Sequence, residues 1–178
     1  VFPQYAPLVV HNGRLYGTWV IGALFRKRSS NYYGTFPHSV KARILALYPD
    51  CHRILHLFSG TVHDPRTITY DINTKVRPQI CDDVRNLLAH KRQLHKADLA
   101  VADPPYEARD FAVYGQKPFS KPKVIRDLGE VMEAHSNLAW VDITVPIYNK
   151  KVWALLGYVG LAVGTNTRFR ALTLLQHV

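Results

Sequence analysis

Cysteine is nearly absent from this 178-residue chain, and the two present, Cys51 and Cys81, match no zinc or redox spacing. A disulfide-built fold is excluded on that count. Both cysteines border predicted strands, so buried free thiols in a reducing compartment are expected. Long apolar runs are missing too. Val152 to Val163 comes nearest, but it is too short to span a bilayer and is interrupted by Gly157 and Gly160. No signal-peptide pattern opens the chain, and without an initiating Met there is room for residues ahead of Val1. A cytoplasmic protein with no membrane partner is the expectation. There is no repeat, low-complexity tract or dividing linker, and the length suits one well-buried core. Negative charge is in short supply. Lys and Arg number 23 against 13 Asp and Glu, giving +10 and a pI near 9.8. That excess favours a polyanionic partner, with a basic but inert surface as the plainer reading. At 47% hydrophobic and 20% charged, the composition is that of an ordered globular protein.

The apolar pattern alternates between strands and short helices. Leu8-Val9-Val10 and Leu15 to Ile21 flank His11-Asn12-Gly13-Arg14, and Asn-Gly is a strong tight-turn signal, so an N-terminal hairpin is predicted. A basic loop, Arg26-Lys27-Arg28, leads to the aromatics Tyr32 and Tyr33. The spacing of Val40, Ile44, Leu45, Leu47 and Tyr48 predicts a helix stopped by Pro49. Strands follow at Arg53 to Phe58, Thr67 to Tyr70, Gln79 to Cys81, Leu99 to Ala102 and Leu138 to Val145. Helices are predicted from Asp82 to Leu88 and from Val124 to Ala134, with a loop over 107–120. Val152 to Val163 and Arg168 to Leu175, joined by Gly164-Thr165-Asn166, make a terminal hairpin. This order indicates a mainly parallel sheet covered on both faces.

Successive strand ends carry small or acidic groups: Ser59-Gly60, Asp71, Asp82-Asp83 and Asp103. In an open parallel sheet that edge is where ligands bind, so the series points to a nucleotide-like cofactor site. Asp103-Pro104-Pro105-Tyr106 closes the fourth strand with an acceptor, two donor-free prolines that stiffen the turn, and an aromatic ring. Such a wall suits a planar base, because the Asp and a neighbouring carbonyl accept from an exocyclic amino group while the ring stacks.

These motifs resemble those of class I S-adenosylmethionine-dependent methyltransferases, in particular the amino-methyltransferase branch with a D-P-P-Y turn. The likeness covers about residues 36–145. It implies an α/β fold: a Rossmann-like, mainly parallel seven-stranded sheet with a C-terminal antiparallel hairpin, preceded by a small N-terminal β-hairpin extension. Residues 1–35 would form the extension and 36–178 the methyltransferase domain. His56-Leu57-Phe58-Ser59-Gly60 looks like the glycine turn that approaches the methionine moiety of the cofactor. Asp71, followed by Ile72, is similar to the acidic residue that holds both ribose hydroxyls. Asp83 resembles the acceptor for the adenine amino group, with Val84 as apolar wall and Asp82 as the alternative. Phe36 and Pro37 look like the element beside the methionine end. One departure is plain: Thr61-Val62-His63-Asp64-Pro65 stands where a second glycine is usual. With six residues between Gly60 and Thr67, the connection must be a compact loop rather than a helical crossover.

The resemblance implies Asp103, Pro104, Pro105 and Tyr106 as the catalytic turn and an amino nitrogen as methyl acceptor, most simply adenine N6 in DNA. Cytosine amino groups and RNA bases of the ribosomal type are the competing targets. Arg26, Lys27, Arg28, Lys117, Lys121, Lys123, Arg168 and Arg170, with Lys150 and Lys151, are candidate phosphate contacts, and Tyr32 and Tyr33 are candidate stacking rings. Each basic run also reads as a solvated face. With little chain left for a recognition region, a homodimer or a recognition partner is implied. Asp71 could instead cap a turn, Tyr106 could be a packed surface ring, and His38, His56 and His63 read as structural histidines. A non-catalytic nucleic-acid-binding protein on the same scaffold, and a small-molecule methyltransferase, are the other classes.

Overall fold

The computed structural model describes residues 8–21, 38–62, 64–114, 116–163 and 169–178, less the side chains of His38 and Val163. The N-terminal hairpin forms as its Asn-Gly pair directs: β1 (Val9–His11) and β2 (Arg14–Ile21) turn through Asn12 and Gly13, both at positive φ. Helix α1 (His38–Leu47) buries Val40 and Ile44. Strands β3 (Ile54–Leu57), β4 (Thr67–Asp71), β5 (Ile80–Cys81), β6 (Leu99–Ala102) and β7 (Asn137–Asp142) are mutually parallel. β8 (Trp153–Val163) and β9 (Phe169–His177) form the antiparallel terminal pair, with β9 also antiparallel to β7.

All nine strands belong to one sheet in the order β1-β2-β8-β9-β7-β6-β3-β4-β5. The expected seven-stranded, mainly parallel core is therefore present. The hairpin adds two strands by pairing β2 parallel to β8. Gly157 permits that junction, since a Cβ there would lie 2.1 Å from the Leu15 carbonyl oxygen, beside an irregularity in the β8–β9 register.

Alternation along the strands feeds two cores. Leu55, Leu57, Ala100, Ala102, Leu138 and Trp140 face one side, where Leu87, Leu94, Ile125 and Leu128 cover them. Ile54, Leu99, Val101, Ala139 and Val141 face the other, against Val40 and Ile44 of α1 and Trp19 of β2. Side chains this fully buried stabilise the fold by roughly 1.5–3 kcal/mol each, so the parallel strands are fixed in register from both faces.

Several local expectations need correction. The segment after Asp83 is a 3₁₀ helix (Val84–His90) running into the single turn α2 (Lys91–Leu94), with the Asp83 side chain accepting from the Arg85 N–H at its start. Residues 107–120 are not all loop. α3 (Ala108–Val113) sits there, held by a reciprocal cap between Glu107 and Asp110. α4 starts earlier than its apolar pattern suggests (Lys121–Val131), because Ser120 caps it and Pro122 fits its first turn. β7 ends at Asp142, leaving Val145 exposed. Of the two free cysteines, Cys81 is exposed rather than buried. Among the described residues, no helix is long and apolar enough to cross a membrane.

Candidate active site

The parallel strands place their carboxyl ends along one edge, with β3 between β4 and β6. Just past β3 the chain turns through Phe58 and Gly60, with φ of 55° and 50°. A left-handed phenylalanine is costly unless its surroundings hold it. Here the ring stacks on Phe119 at 5.5 Å, with the planes 7° apart, and Phe111 meets Phe119 edge-on at 5.1 Å. The compact connection to β4 is present. Its ties include Val62 N–H to the Ser59 carbonyl at 3.1 Å and Thr67 N–H to the Asp64 carbonyl at 2.9 Å. Asp64 also pairs with Lys41 of α1 at 3.1 Å. Burial raises the Asp64 carboxyl, but hydrogen bonds from Arg66 and Lys41 outweigh it and bring it down to about 2.

An open cleft of about 390 Å³ lies over this turn, lined by Phe58, Gly60, Asp71, Ile72, Asn73, Asp103, Pro105, Tyr114 and Gln116. Asp71, at the tip of β4, accepts from the Gly60 N–H at 2.8 Å and from the Asn73 N–H at 2.9 Å, one on each oxygen. Each oxygen keeps a lone pair, so the braced carboxylate can still accept two donors. Asp103 stands at the tip of β6. Gln116 adds a buried side-chain oxygen with no protein partner among the described residues.

The Asp103–Tyr106 turn is held from several sides. The Tyr106 hydroxyl donates to Asp103 Oδ1. The Tyr106 N–H donates to Asp110 Oδ2 at 3.2 Å, and its carbonyl accepts from Lys121 Nζ at 3.4 Å. Arg170 of β9 places its guanidinium 5.0 Å from the Tyr106 ring centre and 3.8 Å from Asp103 Oδ2. Burial pushes the Asp103 carboxyl up to about 6. The Arg170 charge and the Tyr106 hydrogen bond oppose the shift. The Tyr106 hydroxyl is raised, chiefly by burial and then by the Asp103 charge.

The structure thus brings together Phe58, Gly60, Asp71, Ile72, Asp103 and Pro105 of the sequence-predicted site. Pro104 and Tyr106 are not part of the lining. Ser59 is fully buried below it. His56 points to the α1 face with Ile54, and burial followed by the Lys41 charge lowers it to about 3, so it is neutral. Asp82 and Asp83 occupy the β5 tip outside the lining. Asp82 accepts from Asn86 at 2.9 Å and bonds His90 at 2.8 Å, and Asp83 pairs with Arg85 at 2.6 Å. These partners hold both carboxyls below the usual range. Val84 is buried in the core.

Among the basic candidates, Lys117, Lys150 and Lys151 are exposed. Lys121 instead pairs with buried Asp142 at 2.8 Å, and Lys123 pairs with buried Asp127. Arg170 is 19% exposed. Arg26, Lys27, Arg28, Tyr32, Tyr33, Phe36, Pro37, His63 and Arg168 lie outside the described residues, as does the Gly164-Thr165-Asn166 turn. Sequence reasoning missed Asn73, Gln116 and Asp110. Only Asn73, two residues beyond Asp71, lay close enough to a recognised tip to be found. No cluster of potential metal ligands occurs among the described residues.

This sheet order, with one antiparallel strand next to the last parallel one, matches the methyltransferase-type Rossmann-like α/β fold, and comparison with solved structures returns the same fold. A SAM-dependent methyltransferase candidate from Streptococcus mutans superposes with a TM-score of 0.58 at 16% identity, over 98% of this chain and 57% of that one. TrmN from Thermus thermophilus gives 0.54 at 14%, over 77% and 48%, and an rRNA methylase from Streptococcus thermophilus gives 0.51 at 13%, over 83% and 99%. The chain therefore spans about half the length of the first two. No protein-family model and no curated protein matches the sequence.

Proposed function

We propose that the chain is an S-adenosylmethionine-dependent methyltransferase acting on an exocyclic amino group of a nucleic-acid base, adenine N6 of DNA first. The observation that carries this reading is the meeting of Asp71, the Phe58–Gly60 turn and Asp103 around one cleft. The fold supports the cofactor, as does a similar structure, SMU.776, that is complexed with SAH at a TM-score of 0.58 and 16% identity.

The residues present fit such a group. Asp71 would hold the ribose hydroxyls with its remaining lone pairs, Gly60 and Phe58 would lie against the methionine side, and Ile72 and Asn73 would flank the sugar. At the β5 tip, Asp82 or Asp83 would exchange one present partner for the adenine amino group. When bound, S-adenosylmethionine supplies an electrophilic methyl group.

The chain's own task is then orientation, which can supply a large part of a transfer barrier. The Asp103 carboxylate and the Pro104 carbonyl accept from the target amino group and aim its lone pair into the cleft. Pro105 and Tyr114 wall the base, and Tyr106 offers its ring once the base arrives. A base paired in a duplex must leave its stack to reach this depth. Exposed Lys117, Lys150 and Lys151, with the Arg26–Arg28 run, would hold phosphates.

RNA is the second reading. It is supported by the similar rRNA methylase, 99% of whose length this chain covers. A homodimer or partner would supply sequence choice in the DNA case. Calorimetry tests the shared step: S-adenosylmethionine should bind the wild type and bind Asp71→Ala at least about tenfold more weakly, through the loss of a hydrogen-bonded charge. No binding to the wild type would leave a non-catalytic nucleic-acid-binding protein on this scaffold.

A further inference from the structure

Arg170 was read from sequence as a phosphate contact, yet its side chain is four-fifths buried and turned inward. It leaves β9 beside the end of β7 and reaches the β6 turn, a contact between strands that are not neighbours in the sheet. One face of its guanidinium environment is the Tyr106 ring at 5.0 Å and another is Asp103 Oδ2 at 3.8 Å. Its Nε–H is buried with no hydrogen-bond partner among the described residues. So the group is not placed by a full set of bonds of its own. Ring and carboxylate together define its position.

We propose that Arg170 is a positioning residue for the Asp103–Tyr106 turn: its guanidinium, set between the Tyr106 ring and the Asp103 carboxylate, holds both in place and keeps both Asp103 oxygens acceptors at neutral pH. This rests on the methyltransferase reading for its purpose, though not for its geometry. A protonated Asp103 would turn one of its two oxygens into a donor facing an amino group that also donates, leaving only its carbonyl oxygen, which is shared with the Tyr106 hydroxyl, to accept.

Every charged neighbour of Asp103 bears on the balance. Tyr106, in the same turn, donates to it. Arg170 from β9 and Lys121 from α4 favour its charge, and Asp142 from β7 opposes it. Lys121 is already bound to Asp142 at 2.8 Å, so these two largely offset each other. Arg170 is left as the cation whose removal shifts the balance most. Its planar form matters as well, because a guanidinium can lie over an aromatic face and meet a carboxylate at once, whereas an ammonium is a compact point charge.

The test is the carboxyl ¹³C NMR titration of Asp103 in the full chain without cofactor, assigned with Asp103→Asn. Arg170→Gln should move the Asp103 midpoint upward by about one pH unit, as expected for losing an opposite charge this close. Arg170→Lys should keep the midpoint near that of the wild type but change the Tyr106 ring signals, which Tyr106→Phe identifies. If Arg170→Gln fails to fold, the Arg170→Lys ring signals decide alone. An unmoved midpoint in folded Arg170→Gln, or unchanged Tyr106 signals in Arg170→Lys, overturns the proposal. Because neither readout needs bound S-adenosylmethionine, failure of the methyltransferase reading would show separately, as absent cofactor binding with the titration intact.

Discussion

Asp103 is where stability and chemistry pull against each other. Its carboxyl is raised to about 6 by burial, so the folded chain holds a proton there that the unfolded chain, near the ordinary 3.8, has already released between those values. Stability from this group therefore falls as pH rises from about 4 to 6 and stays low above. Asp103→Asn keeps the shape without the charge. It should raise the urea-unfolding free energy at pH 8 by on the order of 2 kcal/mol and leave it nearly unchanged at pH 4. Equal effects at both pH values would mean the carboxylate is not strained by burial. The same group governs activity: methyl transfer should rise with pH through an acid limb near 6, since the ionised carboxylate accepts on both oxygens and the protonated form on one. Asp71 has the opposite character. It is braced by two backbone N–H groups, so Asp71→Ala should cost about 1.5–3 kcal/mol in thermal or urea unfolding beyond its effect on binding.

The elements show which features a linear pattern encodes. Leu99-Ala100-Val101-Ala102 and Ile54-Leu55-His56-Leu57 read correctly as strands because a parallel strand buried on both faces is a near-continuous apolar run, broken here only by His56. The Asn12-Gly13 hairpin was legible for a local reason, the left-handed backbone its turn requires. α3 was not legible. Its six residues are too few to show a helical period, and it forms because Glu107 and Asp110 satisfy its first turn while Phe111 packs on Phe119. The 3₁₀ winding after Asp83 has no sequence signal distinct from an α-helix. The attachment of β2 to β8 depends on Gly157, which sequence showed only as a break in an apolar run. Gly157→Ala would drive a Cβ into the Leu15 carbonyl. It should lower the melting temperature by several degrees and expose the β1–β2 hairpin to hydrogen exchange. Unchanged protection of residues 14–21 would show that the junction tolerates a side chain.

Across the whole molecule, the edge of acidic tips was legible as an ordered series, and the structure gathers Asp71 and Asp103 into one cleft. The Lys121–Asp142 pair was not legible, because tertiary packing brings it together, whereas Lys123 and Asp127 have the i,i+4 spacing of one helix and were missed because the predicted helix began at Val124. Exposed Lys117, Lys150 and Lys151 remain, on a chain of net charge +10. These three contacts alone predict that affinity for a single-stranded oligonucleotide falls about twentyfold between roughly 50 and 200 mM salt, and more if the Arg26–Arg28 run also engages. A flat salt dependence would detach the charge from nucleic-acid binding.

The most direct measurement incubates the protein with methyl-labelled S-adenosylmethionine and separate DNA and RNA pools, then analyses the nucleosides, with Asp103→Ala as control. Label on an exocyclic amino group, adenine N6 of DNA first, and its loss in Asp103→Ala is the predicted result. Label confined to protein or small metabolites, or label on nucleosides undiminished in Asp103→Ala, would contradict the account.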